Sequence, residues 1–400
     1  MRAQFLRGPF FGDSLQSMRS LALHRFFLRF ALAGVHIFAW IFVFQYFYFV
    51  ESDIANALAR TALLYALSQT VHCLATPFTA RFLLVGTRRV LIFGVLFAAT
   101  AFVSLGATFE GFWSTAYIGA AIAVYAISIG LYRAIYWIPY EVEASVQRRT
   151  HISIFKEILI ALAPLVAGLF IVSVEEGPAL ILYIGAGIIL LSTIPILYVR
   201  DIHERFLWNY RETFVRIFHI ENRHMVVESF LEGISGAALI LFWPLTVFLI
   251  VGWSYGMLGI ILSLTFLVAI LMRGVVRRLL RRLHLTKSVF LNMVFAITPW
   301  LFRLVVATPI GIMLVDSYSY TTTPRRLGVD PFSFEQTADG GSYVDEYTAL
   351  KEISLALGRI VICLLGAAAV LLISIPAALV SIFLVAGLST AAGVFWSRSV

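Results

Sequence analysis

The chain has 400 residues, of which 60% are hydrophobic, 14% aromatic and only 13% charged, with a mean hydropathy of +0.92. That balance exceeds what a water-soluble globular domain carries and excludes one. The formal charge of +8 does not point to nucleic acid, because the basic residues fall between apolar runs, as the topology of a membrane protein requires.

Taken in chain order, the apolar runs approach the ~20 residues that cross a bilayer. They predict spans near 26–49, 56–78, 89–108, 113–138, 153–173 and 178–199, then a polar connection over 200–223. A second set follows near 226–250, 255–273, 288–306, 308–322, 348–372 and 375–396. The expectation is an all-α polytopic membrane protein of twelve transmembrane helices in two parallel six-helix repeats. Its parts are an N-terminal bundle over 1–199, a central cytoplasmic loop over 200–223 and a C-terminal bundle over 224–400. The first run is too long for a signal-peptide core and has no small-residue cleavage site, so it reads as the first span.

Loop charges test this count. With the N-terminus inside, the segments expected in the cytoplasm carry clusters such as Arg81, Arg88 and Arg89, then Arg148 and Arg149, then Arg200 to Arg223, and later Arg273 to Lys287. The opposite segments carry Glu51, Asp53, Glu110, Glu175 and Glu176, with Arg60 as their one nearby base. This alternation predicts an inner or plasma membrane protein with both termini cytoplasmic. The segment from Thr321 to Glu346, rich in Thr, Pro, Asp and Gly, reads as a solvated loop, either a tolerated insertion or a gate-closing element. Cys73 and Cys363 lack metal-type or CxxC spacing and read as inert buried thiols.

One internal repeat stands out. Lys156-Glu157-Ile158-Leu159-Ile160-Ala161-Leu162 returns 195 residues later as Lys351-Glu352-Ile353-Ser354-Leu355-Ala356-Leu357, identical at five of seven positions. Both copies open an apolar segment, the fifth and the eleventh. Parallel repeats of this size are a mark of one large class of membrane transporters. Neighbouring residues on a helix point about 100° apart, so Lys and Glu of one copy do not pair well with each other. Each is placed to meet the opposite half, which makes Lys156, Glu157, Lys351, Glu352 and the following Arg359 gate candidates, or members of a permanent interfacial ion pair.

Twelve spans, a six-plus-six parallel repeat and a cytoplasmic centre resemble the major facilitator superfamily, in particular its bacterial members. In that family the loop after the second span resembles Gly-x-x-x-Asp-Arg-x-Gly-Arg-Arg. Here Thr79 to Leu91 reads TARFLLVGTRRVL, so Gly86, Arg88 and Arg89 match the end of the pattern while Leu83 stands in place of the Asp. The resemblance implies alternating access around a central site lined by the first, fourth, seventh and tenth spans. The missing Asp puts the family's usual cytoplasmic latch in doubt.

An ionisable side chain at membrane depth needs a partner or a wet cavity. On the spans that the resemblance places around the cavity, His36 and Gln45 (first), Arg133 (fourth), Glu232 (seventh) and Asp316 (tenth) are the candidates for binding solute or protons. His36 titrates near neutral pH when unperturbed, and the bland alternative is a neutral histidine bonded between helices. Glu232 shares a helix face with Glu228 at i,i+4. Arg133 could pair with Asp316 or Glu232, bind an anionic solute, or snorkel to the interface. Gln69 and His72, about one turn apart on the second span, are placed to face the seam between halves. Arg303 is expected to snorkel outward without a role. Tyr125, Tyr136, Trp137, Tyr318 and Tyr320 read mainly as packing.

No GxSxG, HExxH, phosphate-loop or catalytic carboxylate motif is found, so the chain is not read as an enzyme and no cofactor or metal is expected. The preferred function is secondary-active transport of a small solute across the bilayer by alternating access, with proton coupling open through Glu232, Asp316 or His36. A monomer is expected, with no nucleic-acid partner. The alternatives are a non-transporting protein of the same fold (receptor, scaffold or assembly factor) or a lipid flippase or lipid-modifying membrane enzyme.

Overall fold

The structure, a computed structural model, describes residues 11–109, 115–146, 154–282, 289–322 and 344–396, with backbone only for 11–15, 115, 116, 146, 277, 280 and 281. The described residues are helical almost throughout. The helices are α1 (Phe11–Glu51), α2 (Ile54–Thr79), α3 (Thr87–Ala107), α4 (Thr115–Val146), α5 (Ile154–Ser173) and α6 (Gly177–Ile196, broken near Ser192). A short α7 (Tyr210–Ile217) precedes α8 (Ile220–Ile250), α9 (Tyr255–Arg282), α10 (Val289–Val305), α11 (Pro309–Thr322), α12 (Val344–Leu372) and α13 (Ile375–Trp396).

Nine helices among the described residues are long and apolar enough to cross a membrane. Three expected spans fall outside that set: α2, which is long but polar, α10 with 17 residues and α11 with 14. Large apolar side chains such as Phe93, Val166, Leu271 and Leu314 point outward, as a lipid-facing surface requires.

The same pairings build both halves. In α1–α6, α1 packs on α2, α5 and α6, α4 packs on α2 and α3, α3 on α6, and α5 on α6. Adding seven to each label gives the contacts of α8–α13, pair for pair. The halves meet along two seams, α2 against α12 and α5 against α9. The Lys-Glu repeat therefore marks the two helices, α5 and α12, that each half presents to the other.

Local chemistry explains several boundaries. Asp53 caps α2 by accepting from the amides of Ala55 and Asn56 at 3.2 and 3.1 Å. Gly168 of α5 faces Gly259 of α9, and a Cβ on either would sit 3.2 Å from the other's Cα, so only glycine lets these backbones approach so closely. In α8, Pro244 lacks the amide that would bond back to Ile240, and the turn Ala238–Phe242 widens to a π-helix just before it.

Several boundaries differ from the sequence expectation. The fourth span, expected to end near 138, stays helical up to Val146, and α12 begins four residues before 348. The central connection carries α7, whose buried Thr213 and Ile217 sit one turn apart while Arg216 donates to Glu212 at 3.1 Å. That hydrogen bond lowers the Glu212 carboxyl below its ordinary range. Of the long loop over 321–346, residues 323–343 lie outside the described residues, as do Arg148, Arg149 and Lys287.

Candidate functional site

At the centre, polar side chains from α1, α2, α4, α8 and α12 gather in a buried cluster. Arg359 sits midway along α12 and is 4% exposed; its Nη1 donates to the Gln69 carbonyl oxygen of α2 at 3.1 Å. About two turns toward the start of α12, Glu352 Oε2 lies 3.3 Å from His72 Nε2. Arg133, Tyr65, Glu352 and Glu232 are the ionisable groups whose fields reach Arg359, and Arg133 and Arg359 are those that reach His36. An aromatic wall closes this space: Trp40 stands edge-on to Tyr65 at 5.0 Å and to Tyr125 at 5.2 Å.

Buried polar atoms in folded proteins almost always have hydrogen-bond partners. Here Trp40 Nε1, Tyr65 Oη, Ser68 Oγ, Gln69 Nε2, Tyr125 Oη and Arg359 Nε are all buried with none. Clustering of such exceptions at one place marks a binding site rather than a packing defect.

The cluster is closed in both directions along the helices. Toward the α1–α2 turn, Tyr255 of α9 donates to Gln45 of α1, and the Tyr48 and Trp253 rings meet at a tilt with centroids 4.8 Å apart. Toward the other end, Glu157 of α5 accepts from Arg273 of α9 at 2.6 Å, while Cys73 of α2 packs on Leu350, Ile353 and Ala356 of α12. Between them, the Leu165 amide, next to Pro164, donates across the α5–α9 seam to Ser263 Oγ at 2.8 Å.

Of the residues singled out in the sequence, His36, Arg133, Glu232, Glu352 and Arg359 thus share one neighbourhood. Glu352 belongs there, about two turns inside α12 rather than at a cytoplasmic helix end, because α12 starts at Val344, before its apolar run; Arg359 lies mid-helix, as it does in the expected span. Gln45 lies at the aromatic closure. Lys156 sits 5.6 Å from the Phe26 ring, and Lys351 is half-buried on α12. The two Lys-Glu copies do not meet each other; Glu157 and Glu352 each meet a helix of the opposite half.

Asp316 is elsewhere. Its Oδ1 accepts from Arg303 Nε and Nη2 at 3.1 and 2.7 Å, and its Oδ2 accepts from Trp243 Nε1 at 2.8 Å. Arg303 is 3% exposed and lies between the Trp243 and Trp300 rings, 5.2 and 4.7 Å from their centroids. The expectations that Arg303 snorkels outward and that Asp316 pairs with Arg133 are both corrected. The physical reason is that α10 turns its Arg303 face inward, and the π-turn of α8 aims Trp243 at the same carboxylate.

The loop motif has found its acid elsewhere in the chain. Gly86 has φ +112°, and a Cβ there would run into the Asp201 carboxylate. Asp201 Oδ1 accepts from the Arg88 amide at 3.1 Å, at the start of α3, and the Arg88 guanidinium stands 3.8 Å from Oδ2. Thr87 and Ile202 bond to each other through main chain at 2.8 Å, and Thr87 donates its hydroxyl to the buried Glu143 of α4. Arg89 is exposed. Beside this turn, burial and the nearby Glu346 charge hold the Glu204 carboxyl above its ordinary range.

Trp40, Tyr65 and Ser68 carried no signal in the sequence, since aromatic and hydroxyl residues are common on apolar spans, and neither did Asp201 in the polar connection; Tyr125, read mainly as packing, stands in the aromatic wall. Gln69 and His72 carried one, as two polar residues a turn apart on one span.

Comparison with solved structures places the fold. A D-xylose–proton symporter aligns with a TM-score of 0.60 at 12% identity, over 96% of this chain and 97% of that one. A bacterial homologue of the iron transporter ferroportin, in an inward-facing state, gives 0.60 at 16% identity over 96% and 99%. The human organic anion transporter MFSD10 (TETRAN) gives 0.57 at 12% identity over 98% and 100%. No family model matches the chain, and no curated protein is similar to it in sequence. At these identities the likeness is one of architecture, and it gives this chain the fold of the major facilitator transporters.

Proposed function

We propose that the chain is a secondary-active carrier that moves a small solute across the membrane by alternating access. The observation that carries this reading is the buried polar cluster around Arg359. It is built from both halves of a repeated helix arrangement and closed off in both directions along the seams. Alternate loosening of the two closures would expose the cluster to one side and then the other. The D-xylose–proton symporter, the ferroportin homologue and the transporter MFSD10 support the reading through shared architecture.

In this reading α1–α6 and α8–α13 are two bundles of six, all twelve helices cross the bilayer, and both chain ends lie in the cytoplasm of an inner or plasma membrane. The carrier works as a monomer. Proton coupling, where present, runs through the His72–Glu352 pair and its neighbours Glu232 and His36, because these titratable groups share the seam with Arg133 and Arg359. Asp316, held by two donors of Arg303 and one of Trp243, is assigned a structural part instead.

The test is uptake in proteoliposomes across a panel of labelled sugars, amino acids, peptides and organic acids, with and without an imposed pH gradient. Saturable uptake of one class, lost in Arg359→Gln, is the expected result. Absence of flux for every solute, with correctly inserted protein, would leave a non-transporting protein of the same fold.

A further inference from the structure

We infer that the central cluster is an oxyanion site whose ligand is a small organic acid with a flat or apolar body. Two buried guanidiniums, Arg133 and Arg359, lie within electrostatic reach of each other. Neither is in an ion pair with a described residue; the hydrogen-bond partner of Arg359 is the neutral amide oxygen of Gln69. The two carboxylates nearby meet this demand only from a distance: the fields of Glu352 and Glu232 reach Arg359, but neither forms an ion pair with it, and Glu352 lies 3.3 Å from His72 instead. A buried cation without a counter-charge is costly, and a bound anion removes that cost.

The unpartnered atoms point to the same ligand. Trp40 Nε1, Gln69 Nε2 and Arg359 Nε can only donate, and Tyr65, Tyr125 and Ser68 can donate through their hydroxyls. His72 Nδ1 takes either role by tautomer. No side-chain atom of this group is an acceptor only, so the site asks for a ligand rich in acceptor oxygens. A cation would face two guanidiniums. A neutral polyol would meet the donors and leave both guanidiniums without a direct counter-ion. The Trp40, Tyr65 and Tyr125 rings supply a flat apolar wall for the body of the molecule.

The assignment rests on the carrier reading for its transport consequence, but its binding test is independent of flux. Calorimetry on the full-length protein in nanodiscs, with lactate and with benzoate, benzamide and benzamidinium as near-isosteres differing in charge, reads the ligand class directly. Benzoate is expected to bind at least about tenfold more tightly than benzamide or benzamidinium, with Arg359→Gln losing that preference. Arg359→Lys keeps the charge but not the fork and should fall between. Trp40→Phe keeps a ring, removes one donor, and should weaken benzoate by roughly three- to tenfold while leaving the fold unchanged by circular dichroism.

Equal affinity for all three isosteres, tighter binding of benzamidinium, benzoate affinity unchanged in folded Arg359→Gln, or no saturable binding of either acid up to about 10 mM would overturn the proposal. Acid binding without flux in liposomes sinks the carrier reading and keeps the site. Flux of a sugar or cation without acid binding sinks the site and keeps the carrier.

Discussion

His72 Nε2 on α2 lies 3.3 Å from Glu352 Oε2 on α12, joining the two halves of the chain at a point where both side chains are buried. The next residue of α2, Cys73, packs on Leu350, Ile353 and Ala356, so a native thiol reports whether this seam is closed. Glu352→Gln keeps the shape and removes the charge. Loss of a buried partner costs about 3–5 kcal/mol at most, and a fraction of that is enough to shift a closed seam toward open. In a Cys363→Ala background, labelling of Cys73 by a small thiosulfonate should speed up about tenfold or more in Glu352→Gln. An unchanged rate would mean that the pair does not hold the seam.

Arg303 and Asp316 form a deeply buried ion pair, 1% and 2% exposed in their side chains, with Trp243 donating to the second carboxylate oxygen. Asp316→Asn removes the charge and leaves a buried guanidinium between two indoles. The expected destabilisation is about 3–5 kcal/mol, read by denaturant titration in detergent, and the double variant Arg303→Met/Asp316→Leu should recover most of it. A loss below about 0.5 kcal/mol in Asp316→Asn would show that the pair is dispensable.

These two pairs also show what the sequence could and could not tell. Spans, repeat and seam helices were legible because they are written in long apolar runs and in the Lys-Glu duplication at 156 and 351. The side of the helix on which Arg303 lies was not, since a lone arginine in an apolar run looks the same facing lipid or protein. Partner choice was equally hidden. Asp316 could be placed on the tenth span, but its pairing with Arg303 depends on the rotation of α10 and on a π-turn in α8. Arg359 was noticed only as the end of a repeat, because its burial against Gln69 depends on how α12 is turned toward α2, which an apolar run does not record.

Gly86 adopts φ +112° with the Asp201 carboxylate where a side chain would be. Gly86→Ala must strain the backbone or displace Asp201 from the Arg88 amide, at a cost of about 1–3 kcal/mol. Asp201→Asn should cost less, since an amide oxygen still accepts from that amide. The order of the two midpoints in a thermal scan checks the reading, and Gly86→Ala being the milder variant would refute it.

Glu204 gives the linker a pH dependence. Its folded carboxyl titrates above the unfolded value of 4.5 because of burial and the Glu346 charge, so the folded state binds the proton more tightly. The stability it adds is fully present below pH 4.5 and is lost as pH rises through the higher folded value. Glu204→Gln should therefore flatten the decline in thermal midpoint across that window. A pH profile identical to that of the parent chain would exclude Glu204 as its source.

Glu157 accepts from Arg273 at 2.6 Å across the α5–α9 seam, with the two side chains 17% and 20% exposed. Partial exposure limits the pair to about 1 kcal/mol at rest, but reversal of one charge replaces attraction with repulsion at the same spacing. Nearby Lys156 adds to the repulsion in Glu157→Arg, since it lies on the same turn of α5. Arg273→Glu faces Glu157 with Lys156 beside it to offset the repulsion, and should be the milder single change. The swapped variant Glu157→Arg/Arg273→Glu restores opposite charges, and a double-mutant cycle on thermal stability should give a coupling of about 1–2 kcal/mol. If the effects of the two single changes simply add, the contact is incidental to closing this seam. If they couple and liposome uptake recovers with the swap, the ion pair is part of the moving closure itself.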